Sequence, residues 1–174
     1  LAPFFQQAKT MTLHTKMPGK AGVLVLNIEL GRTLAQMCYG QYNWPDGEVF
    51  RSPDPRHTEG EIYLDLPISY QGQTIRGIYL KFEGGVVFDF SAEEGMDTLR
   101  SIVETDTGSH RLGEVALGMN PGLTRVLKEP LYVEKVGGTA HIALGESYPE
   151  CFSDAEVAKQ DDTFNNSARH VDMV

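Results

Sequence analysis

Basic residues are scarce in this chain relative to acidic ones: 15 Lys and Arg stand against 24 Asp and Glu in 174 residues, a net charge of −9. That balance argues against nucleic acid as a partner, because its binders carry basic patches. Cysteine is scarcer still, with only Cys38 and Cys151. Two thiols make no disulfide framework and suit a reducing cytoplasm. No apolar run reaches the roughly 18 residues that a membrane span needs. The first residue is Leu and no charged-then-apolar leader follows, so no signal peptide is expected. A start without Met suggests a piece of a longer chain. Internal repeats and low-complexity tracts are also missing.

What is present is ordinary globular material, 41% hydrophobic and 22% charged, long enough for one domain with a core. Residues 1–22 are punctuated by Pro3, Pro18 and Gly22 and read as a linker or the tail of a preceding domain. Val23 to Leu30 reads as a buried strand. Gly31 to Tyr39 is ambiguous between helix and strand. Glu61 to Phe90 looks like a β-meander, turning at Gln71-Gly72-Gln73 and at Glu83-Gly84-Gly85. Ser91-Ala92-Glu93-Glu94 has the form of a capping box, and Met96, Leu99, Ile102 and Val103 follow at helical spacing. An amphipathic helix over Ala92 to Glu104 is therefore expected. Leu123 to Leu127 reads as a short helix or extended segment that Pro130 ends. Ser153-Asp154-Ala155-Glu156 could cap another short helix running to about Gln160.

Three places invite a chemical reading. Pro45-Asp46-Gly47 is turn chemistry that hands Glu48 to the start of an extended segment. Glu114 sits inside the apolar run Leu112 to Gly118; a buried carboxylate needs a partner or a metal, whereas simple alternation would put it on the wet face. His170-Val171-Asp172 is an H-x-D pair, and residues i and i+2 of a strand share a side, so the two side chains could grip one metal ion. Thr139 to Leu144 reads as a further strand, carrying His141 between glycine-rich ends. Glu134-Lys135 is charged and reads as structural, with a role in lining a site left open.

Taken in order, Pro45 to Phe50, Phe82 to Gly85, Leu112 to Gly118, Thr139 to Gly145 with Tyr148-Pro149, and Asn165 to Ser167 with His170 to Asp172 resemble the C-terminal domain of the thermophilic-type metallo-aminopeptidases, the leucyl aminopeptidase family. The resemblance runs from about Asn43 to Val174. It implies an α+β, antiparallel-sheet-rich domain with one or two helices. Residues 43–174 would form the metal-binding, catalytic-type domain, and residues 1–42 the tail of a preceding domain or a linker plus the first strand. The metal ligands it implies are Glu48, Glu114, His141, Tyr148, His170 and Asp172, holding two divalent ions (zinc, cobalt or manganese). Such ions lie about 3.5–4 Å apart, share carboxylates and activate a bridging water. Glu114 is the candidate general base. The implied substrate is a peptide and the implied assembly a homodimer; the cytoplasmic location expected from the two cysteines is compatible with both.

For Tyr148 to reach the same ions as His141, seven residues earlier, the strand must break at Gly145. Two alternatives stay open. Ring-cleaving dioxygenases of the same fold use a single iron(II), here on His141, His170 and Asp172. The other alternative is a binding domain that has lost activity. The flanking sequence of the family is missing on both sides, so the isolated fragment is expected to be poorly active.

Overall fold

The computed structural model describes residues 2–124 and 130–174. The chain opens with helix α1 (Ala2–Gln7), then strands β1 (Thr10–Thr15), β2 (Leu24–Glu29), β3 (Gln36–Cys38), β4 (Glu48–Arg51), β5 (Thr58–Leu64), β6 (Ile68–Tyr70), β7 (Gln73–Ile75), β8 (Ile78–Glu83) and β9 (Val86–Ser91). Helix α2 (Met96–Val103) precedes strand β10 (Leu112–Gly118) and helix α3 (Pro130–Val133). Strand β11 (Ala140–Gly145), a 3-10 turn at Pro149–Cys151, helix α4 (Ala155–Gln160) and strand β12 (His170–Met173) complete the chain.

Two five-stranded sheets carry the fold, in the orders β1-β2-β5-β8-β9 and β12-β11-β10-β4-β3, and every strand pair in both is antiparallel. The class is the expected one: α+β, antiparallel and sheet-rich. Among the described residues four short helices accompany the sheets, and α2 and α4 are the two suggested by the sequence. The core collects one face of each sheet: Leu26, Ile28, Ile62, Leu80 and Phe82 from the first, and Val49, Val115, Ile142, Leu144, Val171 and Met173 from the second. Helix α2 adds Leu99, Ile102 and Val103. Burying such side chains contributes roughly 1.5–3 kcal/mol each, so the second sheet is anchored by the face opposite to any site it carries.

The meander turns where expected, at Gln71-Gly72 and at Gly84-Gly85. Three local readings change. Thr10–Thr15, inside the stretch read as a linker, is edge strand β1; its alternation sends Met11 and Leu13 to the core. The capping box goes unused. The Glu93 and Glu94 amides donate to the Arg76 carbonyl, at 2.9 and 3.2 Å, so the chain there is bridged to a strand end and α2 begins only at Met96. Pro130 starts α3 rather than ending a segment, a first-turn position where its missing N–H costs nothing. Most of the segment Leu123 to Leu127 lies outside the described residues. Helix α4 is capped as read, Asp154 accepting from the Glu156 and Val157 amides.

One carboxylate ties down the approach to β12. Asp106 accepts from the amides of Gly108 (2.9 Å), Ser109 (2.8 Å) and Ala168 (2.7 Å) and from the Ser167 hydroxyl (2.9 Å). Burial works to raise its pKa, but the donors of Ala168, Ser167, Gly108 and Ser109 outweigh burial and hold it below the usual aspartate value. With the folded pKa depressed, the stabilisation is complete above the unfolded value near ~3.9 and is lost as pH falls through the folded one. Asp106→Ala is expected to cost about 1–3 kcal/mol at pH 7. The gap from wild type should narrow at pH 3 in urea denaturation; an equal gap at both pH values would contradict this account.

Candidate metal centre

The second sheet turns one face to the core and the other to the site. Directly opposed residues of antiparallel strands share a face. On β4, β10 and β11, Phe50 faces Ala116 and Ala116 faces His141, while Glu48 faces Gly118. Glu114 faces Ala143, Ala143 faces Asp172, and Gly145 faces His170. Glu48, Glu114, His141, His170 and Asp172 therefore rise from one surface, and the small residues Gly118, Ala116 and Ala143 between them leave room above the sheet.

Two backbone irregularities make this possible. Strand β10 carries a bulge between Leu112 and Glu114, with Leu112 opposite Leu144 and Glu114 opposite Ala143. The extra residue sends Leu112 to the core and Glu114 to the site, although they stand two apart. Gly113 is required at the bulge, because a Cβ there would lie 2.2 Å from the Glu146 carbonyl oxygen. Strand β11 ends at Gly145, whose φ of +108° favours glycine, and a Cβ would lie 2.0 Å from the Arg169 carbonyl oxygen. Beyond it the Tyr148 amide donates to the Ser52 hydroxyl at 2.9 Å. The Tyr148 ring packs at 4.5 Å from the His170 ring and 4.9 Å from that of Phe50.

The side chains converge. The ligand atoms of Glu48, Glu114 and His141 lie within 4.8 Å of one another, as do those of Glu114, His170 and Asp172, and those of Glu134, His141 and Asp172. His170 Nε2 sits 2.9 Å from Glu114 Oε2 and 3.4 Å from Asp172 Oδ1. His170 Nδ1–H donates to the Glu146 carbonyl at 2.7 Å, which aims Nε2 at the cluster. His141 Nε2 lies 3.4 Å from Glu48 Oε2 and 3.6 Å from Glu114 Oε1. A cavity of about 490 Å³ opens over the cluster, lined among others by Glu48, Glu114, Glu134, Lys135, Tyr148 and Asp172. Glu134 and Lys135, which read from the sequence as structural with a site-lining role left open, line this cavity. Both are buried, and Lys135 Nζ donates to Glu48 Oε1 at 2.6 Å and to Glu134 Oε1. The local signal for them was a Glu-Lys pair close to Gly137 and Gly138.

The electrostatics are those of crowded carboxylates short of positive charge. Burial and the neighbouring Glu114 raise the Glu48 pKa, against the pull of His141 and Lys135. Burial, then Asp172, push Glu134 up to about 8. Burial opposes it, but hydrogen bonding and charge from His170 bring Asp172 down to about 2. His170 rises to about 11 despite burial, because Asp172 and Glu114 hold its proton. The donor set fits divalent cations: Glu48 Oε2 and both ring nitrogens of His141 are buried with no hydrogen-bond partner among the described residues. Buried polar atoms are rarely left so, and imidazole with carboxylate is a ligand set for zinc, cobalt, manganese or iron. Cys38 and Cys151 are free and buried.

The chain is similar to known proteins. The chain is 39% identical over 114 residues to aminopeptidase T of Thermus aquaticus, covering 62% of this chain and 27% of that protein. The solved structure of wild-type AmpT from Thermus thermophilus superposes with a TM-score of 0.81 at 31% identity, covering 99% of this chain and 45% of that one. The 2,5-dihydroxypyridine dioxygenase of Pseudomonas putida KT2440 superposes with a TM-score of 0.66 at 19% identity, over 99% of this chain and 51% of that one, a likeness of fold alone. The chain thus spans less than half the length of the aminopeptidases it matches. Residues 28–174, the stretch that carries the whole cluster, match the thermophilic metalloprotease (M29) profile, and the chain belongs to that family.

Proposed function

We propose that this chain is the metal-binding, catalytic part of an aminopeptidase that releases N-terminal residues from peptides, using two divalent ions held by Glu48, Glu114, His141, Tyr148, His170 and Asp172. The observation that carries the reading is the buried cluster beside an open cavity, whose Glu48 Oε2 and His141 nitrogens lack hydrogen-bond partners among the described residues. Bound there, divalent ions supply an activated water and polarise the scissile carbonyl. The residues of the chain do the rest. Glu114 lies between both histidines and takes the proton of the attacking water. Glu146 fixes the His170 ring through Nδ1. Phe50 and Tyr148 wall the cavity and exclude water from one side. The acidic lining attracts the cationic α-amino end of a peptide, which favours chain ends over internal bonds.

The reading extends to a longer parent protein that completes the substrate pocket, to a homodimer, and to a reducing cytoplasm, which suits two unpaired thiols. Glu48 and Glu114 beside the H-x-D pair favour two ions over the single iron of a dioxygenase. Hydrolysis of leucine-p-nitroanilide by the metal-loaded parent tests it. Turnover should vanish on chelation and return with zinc, cobalt or manganese, with two ions per chain by mass spectrometry. The isolated fragment should turn over far more slowly. A metal-loaded parent inert towards a panel of short peptides would refute the assignment; one bound iron would favour an oxygenase, and no bound metal a binding domain.

A further inference from the structure

We propose that Lys135 keeps Glu134 out of the metal coordination sphere and makes Glu48 present a single oxygen to it. The inference rests on the two-ion reading above. Among the described residues five carboxylates line the cavity; those of Glu48, Glu114, Glu134 and Asp172 cluster with His141 and His170, whereas Glu150 does not, and the ligand atoms of Glu134 come within 4.8 Å of those of His141 and Asp172. By position Glu134 is as well placed to ligate as its neighbours. Lys135 occupies it: the buried ammonium donates to Glu134 Oε1 and, at 2.6 Å, to Glu48 Oε1. Of the two Glu48 oxygens, Oε2 is left without a hydrogen-bond partner among the described residues.

Charge explains why such a residue would be placed there. Two divalent ions bring four positive charges, and ligating histidines are neutral. Four ligating carboxylates would cancel that charge completely and blunt the ions as Lewis acids. With Glu134 neutralised by Lys135, three carboxylates remain and the ions keep a net positive charge for the attacking water and the developing oxyanion. Lys135 therefore acts as a positioning residue, trading tightness of metal binding for acidity of the site.

The test follows zinc leaving the full-length protein into excess chelator, with metal per chain measured by mass spectrometry. Lys135→Met frees Glu134 to ligate and should slow zinc release by about tenfold or more, the sign expected when a cation beside the ions is removed. Adding Glu134→Gln to Lys135→Met should return release to the wild-type rate. Glu134→Gln alone should keep two ions per chain, and this variant decides the matter if Lys135→Met does not fold. Release from Lys135→Met as fast as or faster than wild type overturns the inference, and so does loss of one ion in Glu134→Gln. A wild-type protein that binds no divalent ion sinks the aminopeptidase reading itself.

Discussion

Glu114→Gln is expected to lower kcat of the metal-loaded, full-length protein by about 10²–10⁴-fold, the range associated with loss of a general base. The substitution keeps the shape of the side chain on the bulged strand and removes its charge. Glu114 is 3% exposed and reaches both histidines, His170 Nε2 at 2.9 Å and His141 Nε2 at 3.6 Å. An amide there cannot take a proton from water, so the loss should fall on kcat rather than KM. Some metal should remain, because Glu48, His141, His170 and Asp172 are untouched. His170→Ala should also abolish turnover, but with loss of metal, since it removes a proposed ligand whose ring the Glu146 carbonyl orients. Steady-state kinetics beside metal content separates the two. A Glu114→Gln variant with wild-type kcat would remove Glu114 from the role of base.

Arg51→Met should produce the largest loss of stability. Arg51 is 1% exposed and makes no salt bridge among the described residues. Its Nη1 donates to the carbonyls of Phe5 and Ala8, each at 2.9 Å, its Nη2 to that of Leu30 at 3.2 Å, and its Nε to the Thr33 hydroxyl at 3.2 Å. The guanidinium thus fastens the end of α1 and the segment after β2 to β4, the strand that begins with Glu48. Stripped of the donor, each buried carbonyl costs about 1–3 kcal/mol before relaxation. Relief of a buried charge offsets part of this, leaving a net loss of about 3–5 kcal/mol. The urea midpoint should fall with little change in slope. Arg51→Lys should recover less than half, because a point ammonium cannot reproduce the fork. A Met variant within about 1 kcal/mol of wild type would show that these carbonyls find other donors.

Much of the fold is written in local pattern. Val23 to Leu30 as a strand, the meander turns and the Asp154 cap follow from side-chain period and turn chemistry, which act over a few residues. So does the pairing of His170 with Asp172, since i and i+2 share a strand face. Of the six residues implied by family resemblance, Glu48, Glu114, Tyr148 and Asp172 line one cavity, and His141 and His170 place ring nitrogens within 4.8 Å of carboxylates among them. The unused capping box marks the limit of such reasoning. Its residues obey a helix rule, yet their amides pair with Arg76, because a neighbouring strand offers the same hydrogen bonds plus sheet packing.

Tertiary structure alone decided the rest. Alternation cannot say whether Glu114 is wet or buried; the bulge opposite β11 reverses its face, and that bulge exists only in the register with Leu144 and Ala143. Lys135 meets Glu48 across 87 residues of sequence, a separation over which no local pattern carries information. The composition determined that this protein would be acidic, and local pattern marked several of its strands. Only the folded chain determined that its carboxylates would share one buried face, with a single lysine ammonium set directly against two of them, because burial makes charges choose partners by distance in space and not by order along the chain.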